Sequence, residues 1–157
     1  MILLDDLLQA TGGRLAGPAC ARTFTDFCYD SRIAEPGQLF LAVVTDTGDG
    51  HEYIHDACAR GVTGVVCQTL PPAPLPEGVT WVLVENTQEA LLAYAEYVLR
   101  QRQVAVVGVT GSVGKTSTKE AVAAVLGAQQ PVFRNQGSYN GRYGLPIALG
   151  RLGDERL

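Results

Sequence analysis

The stretch Val104-Ala-Val-Val-Gly-Val-Thr-Gly-Ser-Val-Gly-Lys-Thr-Ser-Thr-Lys-Glu120 decides the fold class of this chain of 157 residues. Its first six residues are mostly apolar and β-branched, which predicts a buried strand over Val104–Val109. A glycine-containing turn follows, and a segment with helical apolar spacing then runs to a natural stop at Gly127. Strand, glycine loop and helix in this order are typical of a phosphate-binding loop in an α/β protein.

The loop predicts a nucleotide site, because its backbone N–H groups and the helix dipole would both face a phosphate. Lys115 would lie on the β- and γ-phosphates, and Thr116 would place its hydroxyl on Mg²⁺. The strict loop pattern has glycine where Val109 stands, so Gly111 would supply the flexibility. An ordinary glycine turn between a strand and a helix is the alternative. The predicted nucleotide-binding residues are Thr110, Gly111, Ser112, Val113, Gly114, Lys115, Thr116 and Ser117.

Composition narrows the class of protein. The formal net charge is −4, and no basic block with interleaved aromatic residues occurs, so we expect no nucleic-acid partner. No apolar run approaches the ~20 residues that span a bilayer. The residues after Met1 lack the pattern of a secretion signal. We therefore expect a cytoplasmic protein without a membrane segment.

Cysteine and histidine spacing gives little support for a metal site. The four cysteines form no C-x-x-C pair, which favours buried, reduced thiols over metal ligands at Cys20, Cys28, Cys58 and Cys67. His51 and His55 are four residues apart, but a third ligand is not evident. We interpret both histidines as surface or polar-contact residues.

Apolar strands alternate with amphipathic helices, which predicts an α/β chain. A leucine stripe predicts a first helix that ends at Thr11–Gly13, and Asn86 with Glu89 predicts a capped helix through Arg100. Strands are predicted at Thr23–Tyr29, Gln38–Val44, Gly64–Cys67, Trp81–Val84 and Pro131–Phe133, and a last helix begins at Pro146.

Two domains are predicted, 1–101 and 102–157, with the polar segment Arg100–Gln103 between them. The residues after 103 are too few to close a nucleotide-binding core. We therefore expect the chain to be a fragment or truncated form of a longer protein.

Several motifs resemble those of the Mur ligases, the ATP-dependent enzymes that extend the peptide of the peptidoglycan precursor. Tyr29-Asp-Ser-Arg32, Pro36–Ala42, Asp49–Ile54 and Ala57-x-x-x-Gly61 are similar to the uridine-nucleotide domain of that family. Thr110–Thr116 is similar to its ATP loop, which also lacks the first strict glycine. The resemblance implies a small α/β domain for the uridine nucleotide, followed by the first strand, loop and helix of a truncated P-loop domain.

Within the family, Ser117–Glu120 and Gly137-x-x-Asn140 with Gly144-Leu-Pro146 are most similar to members that add D-alanyl-D-alanine to UDP-N-acetylmuramoyl-tripeptide. The implied reaction is carboxylate activation by ATP to an acyl phosphate, which the dipeptide amine then attacks. A ligase that adds the third amino acid, and a truncated chain that binds nucleotides without turnover, are the alternatives. We expect a monomer, inactive as a fragment.

The resemblance also implies roles for individual residues. Tyr29, Ser31 and Arg32 would contact the UDP-sugar, and the stretch Asp46, Thr47 and Gly48 would line the uracil. ATP would be held by the loop, with Lys115 as the catalytic cation and Thr116 as the Mg²⁺ ligand. Asn140 would lie on the substrate side, and His51 would order the start of a helix.

Overall fold

The computed structural model describes residues 1–46, 48–135 and 144–153. Nine strands are found there: β1 Ile2–Leu3, β2 Arg14–Leu15, β3 Thr23–Phe24, β4 Phe27–Cys28, β5 Leu39–Leu41, β6 Val44–Thr45, β7 Gly48–Asp49, β8 Gly64–Cys67 and β9 Thr80–Leu83. Five α-helices accompany them: α1 Leu4–Thr11, α2 Ile54–Ala59, α3 Thr87–Arg102, α4 Lys115–Gly127 and α5 Gly144–Leu149.

A five-stranded sheet in the order β2-β9-β8-β5-β4 is the centre of the fold. The four strands from β9 to β4 are parallel, and β2 pairs antiparallel with β9 at one edge. The remaining strands form two separate two-stranded sheets, β1-β3 and β6-β7. The mixed sheet with helices on both faces confirms the predicted α/β class.

Alternate residues of the central strands pack on opposite faces of the sheet. Leu39 and Leu41 belong to the core cluster that includes α1, α3 and α5, whereas Phe40 belongs to the cluster under α2. On β8, Val66 belongs to the first of these clusters and Val65 to the second. Because a strand directs successive side chains to opposite faces, a run that is apolar at every position fits a sheet covered on both sides.

The helix ends follow the local sequence. Asn86 Oδ1 accepts hydrogen bonds from the N–H groups of Gln88 and Glu89, at 2.8 and 3.1 Å, which confirms the predicted cap of α3. Gly12 ends α1 in the left-handed conformation, with φ of 63°. The segment Arg100–Gln103 is not the expected linker, because α3 continues through Arg102 and only Gln103 leaves the helix.

The predicted strand at Val104–Val109 is wrong, and so is the one at Pro131–Phe133. A strand needs a hydrogen-bonded neighbour, and within the described residues none runs beside either segment. Val106 and Val107 are accordingly 66% and 55% exposed. Helix α4 forms as predicted, yet none of its residues is buried, and Val125 is 70% exposed.

Helix α5 packs against α3 and extends the first core cluster. Ile147, Leu149 and Leu152 are all less than a tenth exposed and lie in the same cluster as α1 and α3. Arg102 Nη1 donates to the Leu152 carbonyl over 2.8 Å, and the amino group of Met1 donates to the Gly150 carbonyl over 3.2 Å. Residues 144–153 therefore pack on the first hundred residues, across the predicted domain boundary.

The described part of the chain contains no helix with both the length and the apolar character needed to cross a membrane. All four cysteines are free thiols. Cys28 and Cys67 are buried and Cys58 is half-buried, as predicted, whereas Cys20 is exposed. Cys20 lies in the irregular segment between β2 and β3, where no periodic pattern predicts burial.

Candidate functional site

Two segments with predicted contacts to the UDP-sugar lie at the same edge of the sheet. Tyr29–Arg32 follows the carboxyl end of β4, and the hairpin of β6 and β7 follows β5, its parallel neighbour in the sheet. Loops at the carboxyl ends of parallel strands are where α/β proteins bind ligands. The structure thus brings together two segments that the sequence separates by more than a dozen residues.

The turn after β4 is organised by a forked ion pair. Asp30 Oδ1 accepts from the N–H and the Nε of Arg32, at 3.0 and 2.9 Å, and Oδ2 accepts from Arg32 Nη2 at 2.7 Å. These hydrogen bonds lower the pKa of Asp30 to about 2. Ser31 is only 6% exposed and begins a short 3₁₀ helix, whereas Tyr29 is 48% exposed. Arg32 is therefore held in place while most of its guanidinium faces solvent.

The hairpin after β5 pairs Val44 with Asp49 and Thr45 with Gly48. The Thr45 hydroxyl donates to the Gly48 carbonyl over 3.1 Å. Asp46 and Gly48 are exposed at this turn, and Thr47 lies outside the described residues. The exposed tip leaves room for a ligand, while the pairing of β6 with β7 fixes the base of the hairpin.

His51 has the polar-contact role that the sequence predicts. Its Nδ1 lies 2.6 Å from Asp49 Oδ1, and its Nε2 accepts the Gln68 N–H over 2.9 Å. The Asp49 carboxylate also accepts the N–H of His51, at 2.9 Å, and so begins the 3₁₀ helix Gly50–Tyr53. Hydrogen bonds from the backbone and side chain of His51 lower the pKa of Asp49.

The predicted phosphate loop turns at two glycines directly before α4. Gly111 and Gly114 have φ values of 152° and 80°, which side chains rarely adopt, and α4 begins directly afterwards at Lys115. Lys115 Nζ folds back and donates to the Gly111 carbonyl over 2.5 Å. Within the described part of the chain, no backbone carbonyl accepts from the N–H groups of Ser112–Gly114. This cradle of N–H groups under a lysine fits a polyphosphate.

A charged network holds the segment that follows α4 against the helix. Glu120 pairs with Arg134 and with Lys119, and Lys119 Nζ also donates to the Asn135 carbonyl. Thr116, the predicted Mg²⁺ ligand, is exposed in the first turn of α4. No group of three histidine, cysteine or acidic residues that could hold a metal occurs among the described residues.

A cavity of about 360 Å³ opens between the turn after β4 and the segment after α4. Tyr29 and Glu35 line one side, and Arg134 and Asn135 line the other, with Arg151 at its end. The cavity could not be predicted from the sequence, because its walls come from segments about a hundred residues apart. Asn140, predicted on the substrate side, lies outside the described residues.

Curated relatives give the same assignment as the motifs. The UDP-N-acetylmuramoyl-tripeptide--D-alanyl-D-alanine ligase of Bacillus subtilis is 35% identical over 147 residues, which is 93% of this chain and 32% of that protein. The UDP-N-acetylmuramoyl-L-alanyl-D-glutamate--2,6-diaminopimelate ligase of Chlorobaculum tepidum is 38% identical over 80% of this chain and 25% of that protein. No protein-family model matches the chain.

Solved structures agree with the curated relatives. A crystal structure of MurF from Acinetobacter baumannii superposes with a TM-score of 0.85 at 29% identity, over 98% of this chain and 33% of that one. MurF from Thermotoga maritima in complex with ADP gives a TM-score of 0.69 at 30% identity, over 89% of this chain and 31% of that one. The chain thus spans about a third of the length of the proteins it matches. It belongs to the Mur ligase family, and it matches the N-terminal part of the MurF members.

Proposed function

We propose that this chain provides the UDP-sugar domain and the ATP loop of a ligase that joins D-alanyl-D-alanine to UDP-N-acetylmuramoyl-tripeptide. The observation that carries the proposal is the loop before α4, where Lys115 Nζ lies 2.5 Å from the Gly111 carbonyl and the helix N-terminus is open. A cavity between the turn after β4 and the segment after α4 is lined by Tyr29, Arg134 and Asn135. Activation of a carboxylate needs both a phosphate cradle and a way to present the acceptor to it.

The first domain, residues 1–101, would bind the UDP-sugar at the carboxyl edge of the sheet. Arg32 is already oriented by Asp30 and presents its free guanidinium N–H groups to solvent, which suits a diphosphate. Ser31 and Tyr29 lie in the same turn. Asp46, Thr47 and Gly48 would line the uracil.

The second segment, residues 102–157, would bind ATP through Thr110–Ser117. On binding, Lys115 would exchange the Gly111 carbonyl for the β- and γ-phosphates, and Thr116 would hold Mg²⁺ through its hydroxyl. ATP supplies the phosphoryl group that converts the tripeptide carboxylate to an acyl phosphate, with ADP leaving. The dipeptide amine then attacks the acyl carbon, loses a proton and releases phosphate. Lys115 would neutralise charge on the transferred group.

Asn140 would contact the substrate beside the ATP loop, and the enzyme would act as a monomer in the cytoplasm. The second candidate is the ligase that adds the third amino acid. It is favoured by the 38% identity to the diaminopimelate ligase of Chlorobaculum tepidum.

The test separates the two binding sites by reciprocal variants. In a full-length ligase that contains this segment, Lys115→Ala should slow phosphate release from ATP about a hundredfold while UDP-N-acetylmuramoyl-tripeptide still binds. One charge-assisted contact of this kind contributes about 3 kcal/mol in the transition state, or two orders of magnitude in rate. Ser31→Ala should weaken binding of the UDP-sugar and leave ADP binding unchanged. Unchanged turnover in Lys115→Ala would refute the assignment, and diaminopimelate replacing D-alanyl-D-alanine as acceptor would favour the second candidate.

A further inference from the structure

A set of hydrogen bonds joins the hairpin of β6 and β7 to the carboxyl end of β8 and the first turn of α3. We call it the His51–Thr87 network, and its members are Asp49, His51, Gln68, Thr87 and Gln88. None of these residues lies at the exposed tip of the hairpin. They connect its base to two elements of the rigid core.

His51 lies at the centre of one half of the network. Its two hydrogen bonds fix the ring in a single tautomer. Because Nε2 accepts the Gln68 N–H at 2.9 Å, the ring proton must be on Nδ1, which donates to Asp49 Oδ1 at 2.6 Å. The Thr69 N–H also points at Nε2, from 3.5 Å. The His51 side chain is 14% exposed, so water competes little with these partners. The end of β7 is thereby tied to the residue that follows β8.

Thr87 anchors the other half. It is completely buried, and its hydroxyl donates to the Ala42 carbonyl over 3.0 Å, directly after β5. The N–H of Thr87 donates to Gln68 Oε1 over 3.5 Å, which links it to the His51 half. The neighbouring Gln88 donates from Nε2 to the Val44 carbonyl, at the start of the hairpin. Both bonds hold the chain as it leaves the sheet toward the hairpin.

Gly50 shows how closely the base of the hairpin is packed. A Cβ at this position would lie 2.6 Å from the Val43 nitrogen and 2.9 Å from the Val43 carbonyl oxygen. The N–H of Gly50 donates to that same carbonyl over 2.9 Å. The two ends of the hairpin therefore meet backbone to backbone, and the network fixes them from outside.

We propose that His51, Gln68 and Thr87 are positioning residues that set the shape of the hairpin for a uridine nucleotide without touching the nucleotide. The inference rests on the proposed UDP-sugar site, since Asp46 and Gly48 at the tip would make the contacts. A loop held by buried hydrogen bonds before binding avoids the cost of ordering it on binding. Loss of one such bond would show as weaker binding of the nucleotide with an otherwise intact core.

The first test measures the hairpin without any ligand. Amide hydrogen exchange is followed in the 157-residue chain, in Thr87→Val, which keeps the shape but loses the hydroxyl, and in Thr87→Ser, which keeps the hydroxyl. We expect the N–H of Gly50 to exchange at least tenfold faster in Thr87→Val, with Thr87→Ser close to the parent. The β8-β9 ladder, including Val66 and Val82, is the internal control and should be unchanged. Equal acceleration of that ladder would mean general destabilisation and overturn the proposal.

The second test measures binding of UDP to the same proteins by calorimetry, together with His51→Phe and His51→Gln. We expect dissociation constants about tenfold higher for Thr87→Val and His51→Phe, equal to about 1.4 kcal/mol. Thr87→Ser should bind nearly as the parent does, and His51→Gln, whose side-chain oxygen can replace Nε2 as acceptor, should be intermediate. Unchanged affinity in Thr87→Val would overturn the positioning role. If the parent chain itself does not bind UDP, the proposed site fails, and hydrogen exchange alone then decides whether the network holds the hairpin.

Discussion

Arg151 Nε donates to Asp26 Oδ2 over 2.5 Å, which joins the turn after α5 to the connection between β3 and β4. Asp26 is nearly buried, and its other oxygen accepts the Phe27 N–H at 2.8 Å. The carboxylate therefore accepts one hydrogen bond from within the first hundred residues and one from the turn after α5. This pair gives the packing of α5 a polar counterpart to its leucine and isoleucine contacts.

The coupling between Arg151 and Asp26 can be measured by a double-mutant cycle. We expect Arg151→Gln and Asp26→Asn to be non-additive by about 1 kcal/mol, between the values for exposed ion pairs and for buried charged hydrogen bonds. The Arg151 side chain is 55% exposed, which keeps the value low. Urea unfolding of the four proteins gives the coupling energy, and additivity within about 0.3 kcal/mol would show that the pair is not coupled.

A methyl group at Gly150 should loosen α5. A Cβ there would lie 2.8 Å from Phe27 Cδ2 and 3.2 Å from Asp26 Oδ1, and both neighbours are buried. We expect Gly150→Ala to lower the free energy of unfolding by about 1–3 kcal/mol, as overpacking does. Gly127→Ala is the matched control, because a Cβ at Gly127 meets nothing within 4 Å and alanine favours the helix. Equal melting temperatures of the two variants would contradict the packing of Gly150.

Removal of the Arg32 side chain should raise the pKa of Asp30. The hydrogen bonds from Arg32 hold this pKa at about 2, against an ordinary value of 3.8. A lowered pKa in the folded state stabilises the fold above the ordinary pKa, and this contribution is lost as the pH falls through about 2. Carboxyl NMR titration should show the Asp30 midpoint near 2 in the parent and higher in Arg32→Gln. An unchanged midpoint in Arg32→Gln would show that the fork does not form in solution.

Thiol reactivity should distinguish Cys20 from the other cysteines. Burial raises the pKa of Cys58 and of Cys67 to about 11, and it also raises the pKa of Cys28. Because the thiolate is the reactive form, we expect one fast thiol per chain at pH 8 in the folded protein. Mass spectrometry after brief alkylation should place the label on Cys20, and Cys20→Ser should lose it. Rapid labelling of Cys67 in the folded chain would contradict its burial.

Elements that depend on local sequence signals could be predicted. The cap at Asn86, the left-handed stop at Gly12 and the apolar run at Gly64–Cys67 all formed as predicted. Each depends on a few neighbouring residues, so no knowledge of distant segments was needed. The α/β class followed from the alternation of such elements.

Contacts between residues that are distant in the sequence could not be predicted. Val104–Val109 has the composition of a core strand, but composition cannot supply the neighbouring strand that completes a ladder. The bond from Thr87 to the Ala42 carbonyl joins residues 45 positions apart, and the local patterns around each residue do not indicate the other as its partner. His51 could be recognised as a polar-contact residue, whereas its partner Gln68 could be found only from the order of strands in the sheet.

Helix α3 connects the base of the β6-β7 hairpin with the segment that follows α5. Its first residue, Thr87, bonds to the chain just after β5, and its last, Arg102, bonds to the Leu152 carbonyl beyond α5. Sixteen residues of α-helix measure about 24 Å. One helix therefore spans the distance between the base of the β6-β7 hairpin and the segment that follows α5.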